Sequence, residues 1–143
     1  MSNASWRAQR LEQLNAGSEV ADTAAGPIEF VRSGSPPYVL QLHGTPGGYD
    51  QSVPLGVPFL DAGMGSISVS RPGYLRTPIG VGRTPEEQAD ALAALLDTLQ
   101  IERVGVQGVS GGGPSAIQFA VRHPDRISAL LLTCAVSGAY PIV

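Results

Sequence analysis

The chain has 143 residues, room for one domain built on a single core. A net charge of −3 gives no electrostatic footprint for nucleic acid or an anionic membrane, and a single cysteine excludes a disulfide framework. No window approaches a membrane span and Met1–Arg10 lacks an apolar leader core, so a soluble, cytoplasmic protein is expected.

Residues 1–17 read as a leader or a short helix, with Trp6 to Leu14 loosely amphipathic, and residues 18–143 as the core domain. Glu19–Thr23 and Ile28–Arg32 are short strand candidates around a turn at Gly26-Pro27, and Ser33-Gly34-Ser35-Pro36-Pro37 is a loop. Tyr38–His43 reads as a buried strand that runs into Gly44-Thr45-Pro46-Gly47-Gly48. Pro54–Ala62 is proline-broken and reads as a short helical segment. Ser66–Ser70 is another strand, ending in the turn Arg71-Pro72-Gly73-Tyr74.

Thr84-Pro85-Glu86-Glu87 is a helix start, with threonine as cap, proline at the first helical position and glutamate three after the cap. Ala89, Leu92, Ala93, Leu96 and Leu99 mark its apolar face, and Glu86, Asp90 and Asp97 a solvated one. Val104–Gln107 is a strand that ends in Gly108-Val109-Ser110-Gly111-Gly112, and Pro114–His123 reads as a helix stopped by Pro124. Ile127–Ala135 is apolar almost throughout, as a strand buried on both faces would be, and Cys134 within it is expected to be a buried thiol. Strands alternating with helices predict an α/β fold, a mostly parallel sheet with flanking helices. Ligands of such sheets sit at the carboxyl ends of the strands, where the turns after His43, after Ser70 and at Ser110 converge.

Gly-x-Ser-x-Gly between a strand and a helix places its serine in a strained turn at the positive end of a helix dipole, so Ser110 is the candidate nucleophile. A glycine-rich turn without chemistry has the same local pattern. The spacing Gly108-x4-Gly113-Pro114-Ser115 also mimics a phosphate loop, but Pro114 stands where a lysine is needed. No dinucleotide fingerprint is present, and no cofactor or metal is expected.

Taken with the loop His43-Gly44-Thr45-Pro46-Gly47-Gly48, the elbow resembles the α/β-hydrolase family across Ile28–Val136. The loop is similar to the His-Gly-Gly-Pro-Gly-Gly of proline iminopeptidases and to the shorter His-Gly-x-Pro of epoxide hydrolases and cofactor-free haloperoxidases. The resemblance implies Ser110 as nucleophile, with the backbone N–H groups of Gly111 and Thr45 as oxyanion donors worth roughly 3–4 kcal/mol each. Thr45 as a plain turn residue is the alternative. Gly44 lets the loop come close, and Gly44 and Tyr74 are candidate substrate-binding residues, with Arg71 beside Tyr74 on the same edge. The resemblance makes His43 structural rather than a general base, and His123 a cap on the carbonyls of its helix. Relatives more often carry an acid where Ser70 stands.

The family's acid and histidine follow the serine in that order, whereas here Asp125 and His123 come reversed beside a helix end. The expected fold is therefore the N-terminal part of an α/β-hydrolase, lacking the last strands and the cap. That makes the chain a fragment, a truncated form or one piece of a split protein, with Ile127–Ala135 left at an open sheet edge. A second polypeptide or a second copy is expected to complete the sheet, and the triad with it.

The implied function is serine-nucleophile hydrolysis of an ester, amide or peptide bond in a small molecule. An aminopeptidase like the proline iminopeptidases is slightly favoured over an esterase. Epoxide and haloalkane hydrolases are disfavoured, because they place aspartate at the elbow. The competing class is an incomplete fragment or pseudoenzyme that binds a ligand or a partner chain.

Overall fold

A computed structural model describes residues 3–138; residues 1–2 of the expected leader and 139–143 of the expected core domain lie outside the described residues. Six strands form one sheet in the order β1-β2-β4-β3-β5-β6. They are β1 (Glu19–Thr23), β2 (Gly26–Ser33), β3 (Tyr38–Leu42), β4 (Gly65–Val69), β5 (Val104–Val109) and β6 (Ile127–Thr133). β1 and β2 form an antiparallel hairpin, and β2 pairs antiparallel with β4. From β4 onward the sheet is parallel, β3 lying between β4 and β5, and β5 against β6.

Alternation along the strands divides the sheet into two faces. Leu40, Leu42, Ile67, Val69, Val104 and Val106 point into a core closed by two helices, α3 (Pro85–Thr98) and α4 (Gly113–Arg122). The capping box expected at Thr84 is formed: its hydroxyl accepts from Glu87 N, and the Glu87 carboxylate accepts from Thr84 N. Ser66 and Ser68 lie on the opposite face with Gln41 and Gln107, against α2 (Tyr49–Asp61). α1 (Asn3–Ala16) buries none of its residues. It is tied down by its C-terminal end, where Leu14 O accepts from the Tyr49 hydroxyl.

Several expectations need correcting. Gly26 and Pro27 are not the turn but the first residues of β2, opposite Thr23 and Asp22, a place where a missing ladder donor is tolerated. The helical segment placed at Pro54–Ala62 begins five residues earlier and keeps both prolines inside it. Pro54 and Pro58 are four residues apart and both exposed, so the carbonyls they leave without a donor lie toward water.

β6 answers two expectations in opposite ways. Its apolar run predicts burial on both faces, which fails, with Leu130, Leu131 and Leu132 each at least 40% exposed; the open edge expected at Ile127–Ala135 is found, because β6 is the last strand of the sheet among the described residues. Beside it a cleft of about 290 Å³ is lined by Val39, Phe59, Met64, Gly105, Ala129 and Leu131. Apolar composition reports what a strand is suited to pack against, and among the described residues β6 has α4 on one face and a single strand, β5, beside it. For the same reason Cys134, just past the strand end, is exposed rather than buried.

Candidate active site

β3, β4 and β5 are adjacent and parallel, so the three turns at their carboxyl ends meet. β5 delivers Ser110 into a single 3-10 turn, Ser110–Gly112, from which α4 continues. Ser110 has φ +48°, a left-handed conformation that an L-residue adopts at a cost of order 1 kcal/mol. The strain is held by close packing on both sides of the bend. A Cβ on Gly108 would come within 2.6 Å of the Ala116 Cβ, and a Cβ on Gly112 would collide with the carbonyl oxygens of Leu42 and His43. Ser110 O also accepts from Val136 N at 2.9 Å, which ties the segment after β6 to the elbow.

The loop after β3 backs onto this bend. A Cβ on Gly44 would lie 3.2 Å from Ser110 Cβ, and a Cβ on Gly111 would lie 2.5 Å from Thr45 Oγ1. Gly44 thus approaches the serine while Thr45 faces Gly111, the two residues expected to donate to an oxyanion. Thr45 is exposed and Ser110 half-buried, so the region between them opens to solvent.

His43 is fully buried and both ring nitrogens are engaged. Nε2 accepts from Arg71 N at 3.0 Å, which leaves Nδ1 to donate to Gly44 O at 2.7 Å. Burial pushes its pKa down to about 4; the Gly44 bond opposes this and the Arg71 charge adds to it. A neutral ring committed at both nitrogens anchors the loop and is no base for Ser110, as the sequence reading has it.

A stability consequence follows. Between pH 6.5 and about 4 the unfolded chain takes up a proton at His43 that the folded chain refuses, so stability falls as pH falls through that window. The contribution at neutral pH is on the order of 3 kcal/mol. Urea unfolding at about pH 7.5 and about pH 4.5 checks it: the wild type is expected to lose more stability than His43→Gln over this interval. Equal losses would place the acid sensitivity at other groups.

The turn after β4 braces the same loop. Arg71, 7% exposed, donates from Nε to His43 O at 2.9 Å and from Nη2 to Gly44 O and Thr45 Oγ1 at 3.2 and 3.1 Å. Tyr74 packs edge-on against His43, lies under the Arg71 guanidinium and donates its hydroxyl to Thr45 Oγ1 at 3.2 Å. Both residues therefore lie on the active edge, and both grip Thr45.

Behind them is a buried carboxylate that the sequence reading does not single out. Glu29, on β2, is fully buried and accepts from Ser18 Oγ, Ser70 Oγ, Arg76 Nε and Arg76 N at 2.7–3.1 Å. Ser70 Oγ in turn accepts from Tyr49 N. Ser70 thus has a carboxylate partner supplied by β2, which pairs with β4. The available signal was an acid between Ile28 and Phe30 in an apolar strand.

His123 caps α4 as expected, but with its backbone: its N–H donates to Phe119 O at 2.9 Å. Its ring does something further, contacting Asp90 Oδ1 at 2.9 Å beside the Arg122–Asp90 ion pair and so clamping α4 to α3. Asp90 and Asp97 are accordingly cross-element partners, Asp97 pairing with Arg126, and not only a solvated face. Among the described residues no side chain hydrogen-bonds the Ser110 hydroxyl. No described helix is long and apolar enough to cross a membrane.

This arrangement of strained serine, glycine-rich loop and parallel sheet agrees with the comparisons to known proteins. Residues 37–142 match the family described as the alpha/beta hydrolase fold. The chain belongs to the α/β-hydrolase family. An uncharacterized hydrolase YcgS of Bacillus subtilis is 35% identical over 112 residues, covering 78% of this chain and 39% of that protein. A 2-hydroxy-6-oxo-6-phenylhexa-2,4-dienoate hydrolase of Comamonas testosteroni is 33% identical, covering 73% of this chain and 38% of the relative. Among solved structures, an alpha/beta hydrolase fold protein from Nakamurella multipartita superposes with a TM-score of 0.85 at 44% identity, over 88% of this chain and 44% of the other. The chain spans about two fifths of the length of the curated relatives it matches. Its sheet is thus part of an α/β-hydrolase sheet, and its relatives are hydrolases.

Proposed function

We propose that this chain carries the nucleophile and oxyanion-binding half of a serine hydrolase. The observation that supports this most directly is the left-handed Ser110 at the end of β5, set against Gly44 and facing the Thr45 loop. In this reading Ser110 Oγ attacks a carbonyl carbon, and the carbonyl oxygen takes up negative charge between the backbone N–H groups of Gly111 and Thr45. The positive end of α4 favours the same charge. Tyr74 and Gly44 border the acyl group.

The substrate is a small ester, amide or peptide. The likeness of His43–Gly48 to the proline iminopeptidase loop keeps an aminopeptidase in view. The Comamonas relative, whose name places a 6-oxo group in its substrate, adds ketone carbonyls to the acyl groups of interest. The acid and histidine come from outside residues 3–138, since His123 is committed to Asp90. The exposed β6 edge is where a second polypeptide, or a second copy, joins the sheet. Alone, the chain retains only the residual catalysis of an oxyanion site and is a slow acyl acceptor.

A fluorophosphonate probe with mass-spectrometric mapping tests the reading. Label on Ser110 that disappears in Ser110→Ala is the expected result. An assembly with a completed sheet that stays unlabelled would favour the non-catalytic alternative, a ligand- or partner-binding module.

A further inference from the structure

We infer that the Thr45 hydroxyl, and not only its backbone N–H, is a donor to the developing oxyanion, aimed by Arg71 and Tyr74. This deepens the serine-hydrolase reading and rests on it. The argument is a count of hydrogen-bonding capacity. A threonine hydroxyl has two acceptor sites and one proton. Arg71 Nη2 and the Tyr74 hydroxyl both donate to Thr45 Oγ1, at 3.1 and 3.2 Å, and together fill its acceptor sites. What remains is the proton. Among the described residues no acceptor takes it.

Its direction is constrained as well. Oγ1 lies 2.5 Å from the place a Cβ on Gly111 would occupy, so it hangs over the residue that follows Ser110 in the elbow turn, whose N–H is the expected oxyanion donor. With both acceptor sites filled and Thr45 exposed beside a half-buried Ser110, the proton is left for the solvent-open region between them, where a carbonyl attacked by Ser110 would sit. Arg71 also raises the donor strength of this hydroxyl. It is a buried cation that pairs with no carboxylate among the described residues, and its polar contacts are to carbonyl and hydroxyl oxygens of the loop and to the Tyr74 hydroxyl. A cation hydrogen-bonded to an oxygen makes that O–H a stronger donor, and a low-dielectric setting enlarges the effect. Thr45 is then a catalytic residue through its side chain, and Arg71 and Tyr74 are positioning residues.

Acylation of the full chain by p-nitrophenyl acetate tests this, with acetyl on Ser110 mapped by mass spectrometry and Ser110→Ala as control. Thr45→Val keeps the shape and the backbone N–H but lacks the hydroxyl. It is expected to lower the limiting acylation rate by about tenfold or more, with reagent affinity within about twofold. Thr45→Ser is expected to restore the rate to within about threefold. In a double-mutant cycle, Arg71→Met is expected to slow wild type but to change Thr45→Val little, because Arg71 acts through this hydroxyl. A Thr45→Val protein that acylates as fast as wild type overturns the inference and leaves the serine-hydrolase reading intact. Wild type that acquires no acetyl on Ser110 overturns both. A purely structural role for Thr45 would lower the fraction of protein that reacts rather than the rate at each reacting site, and that result also counts against it.

Discussion

Gly112→Ala is expected to unseat Ser110 and destabilise the domain by about 3–4 kcal/mol, among the larger effects of a single methyl group. The added Cβ would collide with the carbonyl oxygens of Leu42 and His43, which are backbone atoms of β3 and its exit loop. Neither can move like a side chain, because β3 is held between β4 and β5 and His43 is pinned from both ring nitrogens. Relief therefore has to come from the elbow itself, which draws Ser110 away from Gly44 and Thr45. Urea denaturation should show the midpoint falling, and fluorophosphonate labelling of Ser110 should fall further than the folded fraction does. Gly63 makes the control: it lies at a turn where an added Cβ would meet nothing within 4 Å. Its own φ of +78° makes alanine there mildly unfavourable, so only an effect at 112 well beyond that at 63 supports the collision.

Removing the Glu29 carboxylate is expected to cost about 3 kcal/mol or more. Glu29→Ala leaves the Arg76 guanidinium and the Ser18 and Ser70 hydroxyls without their shared acceptor. Arg76 is partly solvated, which tempers the loss. The pH dependence carries a second signature. Burial alone would raise the Glu29 pKa, but hydrogen bonds from Ser18, Arg76 and Ser70 outweigh it and hold the carboxyl below its usual 4.5. A carboxyl depressed in the folded state stabilises above its unfolded pKa, and that stabilisation is lost as pH falls below 4.5 through the folded value. Wild type should lose stability in this range while Glu29→Ala, already without the group, loses less. Parallel acid profiles for the two proteins would show that Glu29 is not the group responsible.

The parts of this molecule legible in the sequence are those governed by neighbours along the chain. The Thr84 capping box, the strand entering Gly108-Val109-Ser110-Gly111-Gly112 and the turns after β3 and β4 each carry their signal within a few residues. The α/β class followed from their alternation. What was hidden depends on residues far apart in sequence. Glu29 and Arg76 are 47 positions apart, and Arg71 and Thr45 are 26 apart. No periodicity announces such pairs. His123 was legible as the cap of α4 because that depends on its own helix, but the hold of Asp90, 33 residues earlier, on its ring was not. The prolines of α2 misled for a different reason. Proline removes a donor wherever it stands, but the cost depends on whether the orphaned carbonyl faces water, and that is a property of packing. β6 is the inverse case: its sequence describes a buried strand, and the described residues supply only one strand to pair with it.

The left-handed φ of Ser110 has a further meaning for how durable this protein is. Glycine at that position would adopt the same bend without the penalty, and the fold would be firmer for it. The same backbone occurs at Leu75, Gln100 and Cys134, so the bend alone does not mark chemistry; in the serine-hydrolase reading proposed above, the hydroxyl of Ser110 is displayed at a standing deficit of order 1 kcal/mol. The penalty falls on any side chain with a Cβ, so the bend itself does not discriminate among nucleophiles. On that reading, firmness and reactivity stand in opposition at one residue.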